Sequence, residues 1–388
     1  MAESVFILAG EASGDKLGGS ILAEMKARGY SPNIVGVGGP DMQAQGLQPL
    51  FPMDDLSILG IKGAIANYWT LKKRLALLID HIRSTRPRFI LTIDSKTFSL
   101  KLGKMLKKVM AKEGWSIPVI HLVAPTVWVW AGWRAKTMHL SVDHLLCLFP
   151  FEVPYFTQYG TSAVAVGHPA RDITWPSVVK ARERLGLKKQ DYVIGLFPGS
   201  RRREVAELLP DMCLAVKAVR RQYPDVKAIL PAAETVHHLI EEYLTPEDDV
   251  HLVGEDQRYE VMKAADYGLL CSGTLTLETA LAGLAGSVYY RPDALSMFVG
   301  RRLVDRSKIV LPNAISGHEL YDLFLGREFT EETMADAILH HRNKGNTLSL
   351  DIASHIKTAL TPEEQHGKRG VTFQRSVVDQ IDRFLNGL

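Results

Sequence analysis

Ser4-Val5-Phe6-Ile7-Leu8-Ala9-Gly10-Glu11-Ala12-Ser13-Gly14-Asp15 passes from an unbroken apolar run, through a turn of small residues, into a segment with helical apolar spacing between Lys16 and Arg28. An apolar run without polar alternation suits a strand buried on both faces, and such strands belong to parallel sheets covered by helices. The same grammar recurs outward from this stretch. Strands are predicted at Asn33–Val37, Arg88–Ile93, Pro118–Leu122 and His144–Leu148, with helices at Tyr68–Ser84 and Phe98–Lys112 between them. Alternation of this kind makes a parallel α/β sheet of Rossmann type.

The pattern then restarts. Strands at Tyr192–Phe197, Lys227–Pro231, Val250–Val253 and Tyr267–Cys271 alternate with helices at Val205–Tyr223, Thr235–Tyr243, Tyr259–Ala265 and onward from Thr274. At 388 residues the chain exceeds what one hydrophobic core holds, so two domains are expected. The boundaries read 1–168 for the first, 169–360 for the second, and 361–388 for a tail. The tail ends in an amphipathic helix from Phe373 that buries Val377, Ile381 and Phe384 by docking back on the first domain.

Composition narrows the function. Hydrophobic residues at 46% and charged residues at 23% match ordinary globular proteins, and a net charge of +3 is too small at this length to argue for nucleic acid. Cys147, Cys213 and Cys271 show no C-x-x-C spacing, which speaks against a zinc site or disulfides and for a reducing compartment. The start of the sequence lacks the basic region of a signal peptide, and no run reaches the roughly 20 apolar residues that span a bilayer. A cytoplasmic protein with peripheral membrane contact is expected.

Three turns stand where strands end and helices begin, the place where open α/β sheets take ligands. The first is Gly10 to Asp15, where Glu11, Ser13 and Gly14 present hydroxyl, carboxylate and backbone groups; small residues there also serve simple packing. It is not a G-x-G-x-x-G turn, so no dinucleotide cofactor is indicated, and no cofactor of any kind is expected. The second is Pro198-Gly199-Ser200-Arg201-Arg202-Arg203-Glu204, whose Gly199 and Ser200 amides and Arg201 guanidinium suit a diphosphate. The third is Ser272-Gly273-Thr274, followed one helical turn later by Glu278, which can reach a sugar hydroxyl. Alone that triplet reads equally as a helix cap.

Asp94, at the tip of the strand Phe89-Ile90-Leu91-Thr92-Ile93, is placed as a general base for an attacking hydroxyl, its alternative being to cap the next helix. His168, in Gly167-His168-Pro169, either meets ligand or fixes the linker. Tyr68, Trp69, Lys72, Lys73 and Arg74 mix aromatics with cations, as do Phe298, Arg301 and Arg302. Such mixtures suit an anionic membrane surface, or an ordinary amphipathic helix.

In this order, these motifs resemble those of the lipid-A-disaccharide synthase family across nearly the whole chain. Further matches are Gly36-Val37-Gly38-Gly39-Pro40-Asp41-Met42, Ser57-Ile58-Leu59-Gly60-Ile61, Ala124-Pro125-Thr126-Val127-Trp128-Val129-Trp130, Pro150-Phe151-Glu152 and Leu311-Pro312-Asn313. The resemblance implies a GT-B glycosyltransferase with two Rossmann-like domains facing a cleft. It implies an inverting transfer that joins UDP-2,3-diacylglucosamine to lipid X at the inner-membrane surface, releasing UDP. It further implies Asp94 as the base, Arg201, Glu278 and Asn313 at the donor site, and Trp128 with His168 on the acceptor side. Oligomeric state is left open, a homodimer included, and no metal is required, since no Asp-x-Asp pair occurs.

Departures accompany the match. The family's I-D-A-P-D-F-N reads Ile93-Asp94-Ser95-Lys96-Thr97-Phe98-Ser99, Lys62-Gly63 stands where a glutamate is usual, Ala131 replaces an arginine, and Leu323 and Gly326 replace a glutamate and a glutamine. These losses leave two rivals to the family activity: transfer to a different acylated amino sugar, and a catalytically weak relative that binds lipid or nucleotide.

Overall fold

Among the described residues thirteen strands build two sheets, and every strand pair is parallel. The structure is a computed structural model that describes residues 3–56, 68–128, 132–291, 306–326, 328–344, 350–366 and 370–387. Two compact units divide it: Met1–Asp172 with Leu360–Leu388, and Ile173–Ala359.

In the first unit, β1 (Ser4–Ala9), β2 (Asn33–Val37), β3 (Gln48–Pro49), β4 (Ile90–Ile93), β5 (Val119–Leu122), β6 (His144–Cys147) and β7 (Ala163–Ala165) lie in the order β3-β2-β1-β4-β5-β6-β7. Strand β1 shows why its sequence reads as it does. Phe6 and Leu8 pack on one side with Leu75, Leu78 and Ile82 of helix Tyr68–Thr85 and with Leu102 and Leu106 of helix Lys96–Glu113. Val5, Ile7 and Ala9 pack on the other side with Ile21, Leu22 and Met25 of helix Ala12–Ala27. Both faces are covered, so both alternate sets are apolar.

Helix Phe373–Leu385 joins that second face, burying Phe373, Val377, Val378 and Ile381. At about 1.5–3 kcal/mol for each fully buried apolar side chain, this stripe is what holds the helix to the sheet. Polar contacts set its position. The Thr372 hydroxyl accepts the Arg375 N–H, the Asp172 carboxylate accepts the Phe373 N–H at 2.6 Å, and Arg28 pairs with Asp379.

In the second unit, β8 (Val193–Phe197), β9 (Lys227–Ala232), β10 (Val250–Gly254), β11 (Tyr267–Cys271), β12 (Gly286–Tyr290) and β13 (Asp322–Leu325) lie in the order β10-β9-β8-β11-β12-β13. Helix Arg202–Gln222 buries Val205, Leu208, Leu209, Met212 and Val216 in one core with Ile194, Leu196, Met334 and Ile338. Both sheets therefore reverse strand order at one place each, between β1 and β4 and between β8 and β11, and these switch points are where an open sheet leaves a ligand crevice beyond its strand ends.

Candidate active site

At the first switch point, β1 pairs with β4 in the register Ala9 to Ile93, which sets Gly10 beside Asp94. Asp94 and Ser95 both have left-handed backbones, with φ of 51° and 49°. Neither is glycine, and Val123 at the neighbouring tip of β5 is β-branched with φ 75°. Left-handed residues of these kinds cost roughly 1–3 kcal/mol each, and they gather at functional sites where surrounding structure holds them. The surroundings here are specific. Asp94 donates its N–H to Leu122 at 2.9 Å, and Ser95 Oγ lies 2.5 Å from where a Cβ on Gly10 would stand. Residue 10 must therefore be glycine for the two turns to touch.

Helix Lys96–Glu113 begins after Ser95, which is its N-cap residue and whose side chain makes no cap hydrogen bond. Asp94 directly precedes that cap residue and stands half-exposed at the strand tip. Glu11 and Ser13 are exposed at the neighbouring turn, while Gly14 is buried, and a Cβ there would stand 3.3 Å from the Ile93 carbonyl. The rest of that turn is structural. Asp15 is buried and accepts the N–H groups of Gly39, Asp41 and Met42 at 2.8–3.1 Å, capping helix Pro40–Ala44.

At the second switch point, Gly199 has φ 108°, and a Cβ there would stand 2.4 Å from the Glu204 carboxylate. Glu204 accepts the Arg201 backbone N–H at 3.3 Å and pairs with the Arg201 guanidinium at 2.9 Å, yet the Arg201 side chain stays 74% exposed. That is a cation held by one surface carboxylate and open to a second anion. Arg201, Glu204, Cys271, Tyr290 and Arg291 line a cavity of about 180 Å³ beside it. A larger hollow of about 360 Å³ opens at the other end of the strands, between Lys227 and His251, away from the switch point.

Beside β8, strand β11 leads into Ser272, Gly273 and Thr274, and Gly273 has φ 149°. Thr274 is the N-cap residue of helix Leu275–Ala282, but no side-chain cap bond forms, so the hydroxyls are not spent on capping. Glu278, in the first turn of that helix, meets Arg258 of helix Arg258–Ala264, with both contacts at 3.4 Å. Burial pushes the Glu278 carboxyl up, against the opposing pull of Arg258. No local pattern announces this partnership, because 20 residues separate the two. The Glu204 contact, by contrast, follows the i to i+3 spacing of a helix start.

Several expected ligand residues spend their polar atoms on the protein itself. Trp128 is buried, and its indole N–H goes to Glu152 at 3.1 Å. His168 is buried, stacked on Phe149, and its Nδ1 accepts the Ala170 N–H at 3.1 Å, so it fixes the chain at the end of the first sheet. Asn313 locks a turn: its oxygen accepts from Leu320 and Tyr321, and its amide donates to the Tyr321 carbonyl at 2.8 Å. The membrane set also needs one correction. Arg74 turns inward to pair with Asp55 and lie over the Phe51 ring at 4.6 Å, whereas Trp69 is 67% exposed and Lys72 sits 5.3 Å from its ring centroid. Lys73 is exposed as well. Gly63, Phe298, Arg301, Arg302 and the Tyr68 side chain lie outside the described residues.

The description "Lipid-A-disaccharide synthetase" belongs to a family model that matches residues 5–371. The chain belongs to that family. Lipid-A-disaccharide synthase of Rhodospirillum centenum is 34% identical over 341 residues, spanning 86% of this chain and 84% of its own. That of Idiomarina loihiensis is 31% identical over 390 residues, spanning 98% of each. Among solved structures, MurG of Acinetobacter baumannii superposes with a TM-score of 0.59 at 14% identity, covering 99% of this chain and 100% of MurG. A putative UDP-N-acetylglucosamine 2-epimerase of Listeria monocytogenes reaches 0.60 at 12% identity, covering 100% and 98%. At such identities the likeness is one of fold, and the fold is GT-B. The protein is accordingly a glycosyltransferase that forms the lipid A disaccharide.

The family's substituted positions now have places. Thr97 is exposed on the first turn of its helix, and Ser99 is buried there with a hydroxyl that has no hydrogen-bond partner among the described residues. Leu323 lies within β13, paired with Val288, and Gly326 follows that strand with φ 63°, a turn that favours glycine over the glutamine usual in the family.

Proposed function

We propose that the sugar transferred is 2,3-diacylglucosamine carried on UDP, and that the acceptor is lipid X, attacked through its primary hydroxyl. The observation that supports this most is Asp94, a half-exposed carboxylate in a left-handed turn at a switch point. Asp94 takes the proton of the attacking hydroxyl, and attack opposite the departing diphosphate inverts the anomeric carbon. Glu11 and Ser13 face the acceptor from the neighbouring turn. In the second unit, the amides of Gly199 and Ser200, the Ser272-Gly273-Thr274 turn and Arg201 stabilise the charge that builds on UDP as it leaves. The direct experiment is incubation with UDP-diacylglucosamine and lipid X, followed by mass spectrometry. A tetraacyl disaccharide monophosphate is expected, and its absence with both substrates bound would overturn the reading.

Arg201 is shared between Glu204 and the phosphate it meets, and it is exposed to solvent. Its replacement by alanine therefore costs somewhat less than a buried charged hydrogen bond: UDP affinity should fall roughly tenfold, about 1.5 kcal/mol. Calorimetry showing equal affinity for Arg201→Ala and parent would take Arg201 out of the site.

The acyl chains of both substrates need a lipid surface, and no described helix is long and apolar enough to cross a membrane. We assign the contact to the exposed Trp69, Lys72 and Lys73 of helix Tyr68–Thr85. Lys72→Gln with Lys73→Gln should weaken sedimentation with anionic vesicles by about 1 kcal/mol per cation. Adding Arg74→Gln should change partitioning little further and lower thermal stability instead, since Arg74 is held by Asp55 and Phe51. Unchanged partitioning of the double variant would leave this face an ordinary solvated one.

A further inference from the structure

Glu278 is a carboxylate short of donors. Its side chain is 20% exposed, and among the described residues it accepts a single hydrogen bond, from Arg258 Nη2 at 3.4 Å. An ionised carboxylate has about four lone-pair sites, and half-buried ones are ordinarily filled. Arg258 is also unfinished. Its Nε is buried 3.4 Å from the second Glu278 oxygen but makes no hydrogen bond, while Nη1 goes to Glu255 at 3.2 Å and Nη2 to the Tyr259 hydroxyl at 2.7 Å. Tyr259 is fixed in turn, edge-on to Trp175 with ring centroids 5.2 Å apart.

A purely structural clamp in this same unit looks different. Arg182 closes on both oxygens of Asp266 at 3.0 and 3.1 Å and fills its other nitrogen with the carbonyls of Lys188, Lys189 and Asp191. Arg258 instead stands back from Glu278, held from behind by Tyr259 and Glu255. It fixes the direction of the carboxylate without saturating it.

Among the parts of a UDP-sugar, a carboxylate repels the diphosphate. It matches a pair of vicinal hydroxyls, which donate two parallel hydrogen bonds to its two oxygens. We infer that Arg258 is a positioning residue for nucleotide recognition, aiming the Glu278 carboxylate at the vicinal hydroxyls of the nucleotide's ribose. The inference rests on the reading above that residues 173–359 take the UDP-sugar. Removing Arg258 then loses the hydroxyl contacts while leaving those to base and phosphates in place.

The test is calorimetric binding of two probes, UDP and 2′,3′-dideoxy-UDP, to the full-length protein. The parent should prefer UDP by on the order of tenfold or more, the worth of hydrogen bonds to a charged acceptor. Arg258→Gln should bring that ratio near one with its affinity for the dideoxy probe within about threefold of the parent's, and Arg258→Lys, which reaches one carboxylate oxygen, should restore part of the ratio. In the double variant Arg258→Gln, Glu278→Gln, the ratio should fall no further, as expected for two residues acting through one contact. A parent that binds UDP without preferring it, a glutamine variant that keeps the parental ratio, or one that loses both probes equally overturns the inference while leaving the donor reading intact. Absence of UDP binding in the parent overturns the donor reading and this inference with it. Should Arg258→Gln fail to fold, Arg258→Lys decides: a ratio below the parent's supports the assignment, and one equal to it refutes it.

Discussion

Asp94→Asn should lower turnover by about 100-fold or more while UDP affinity and melting temperature stay near the parent's, in keeping with the usual worth of positioned proton transfer. The substitution is clean for reasons the turn makes explicit. Asparagine matches aspartate in size and, with it, tolerates the left-handed backbone better than other branched or bulky residues. The N–H bond to Leu122 belongs to the main chain and survives. The N-cap position of the following helix is held by Ser95 rather than by this residue. What disappears is the proton acceptor. Initial rates from mass spectrometry, run beside calorimetry with UDP, separate the outcomes. Near-parental turnover would defeat the catalytic assignment, and a parent that binds UDP but turns nothing over would move the chain to the class of binders.

The second large effect is on stability. His168 is buried, and burial pulls its pKa down to about 4 from 6.5. The folded protein holds this imidazole neutral, so the unfolded chain binds the extra proton as the pH falls through 6.5. Stability is unaffected above that pH and is lost progressively down to about 4, where the difference reaches about 3 kcal/mol. Burial shifts His144 and His81 the same way, so they add to the acid sensitivity. His168→Asn keeps an acceptor for the Ala170 N–H but cannot take up the charge. It should lower stability at neutral pH through lost stacking on Phe149, and flatten the fall between pH 6.5 and 4. Urea unfolding at several pH values checks both; an unchanged slope would remove His168 as the source.

The architecture was largely legible because its strands are apolar on both faces, a pattern with few other readings. Strands that escaped notice lack it. Gln48–Pro49 is a two-residue edge, Ala163–Ala165 lies next to a stretch that reads as linker, and Gly286–Tyr290 carries Ser287, whose hydroxyl is satisfied by Tyr267 and Tyr289. The three candidate turns were visible because each is contiguous in sequence. Duties within them were not. Asp15 closes the first turn by accepting three amides 24 to 27 residues away, and nothing local announces that, or that Trp128 will give its N–H to Glu152. Side chains claimed by distant backbone or by a buried carboxylate are settled by packing, which pattern alone does not reveal.

The docking of Phe373, Val377, Val378 and Ile381 on the first sheet has a consequence for how the protein is made. Residues 173–359 leave the ribosome whole and in order, free to fold at once. The sheet begun at Ser4 must wait with one apolar face only partly covered, by helix Ala12–Ala27, until those roughly 190 intervening residues have been added, about 10 to 40 seconds at ordinary rates of synthesis. The half synthesised first is thus the half completed last, and that interval is when a chaperone has the most to hold.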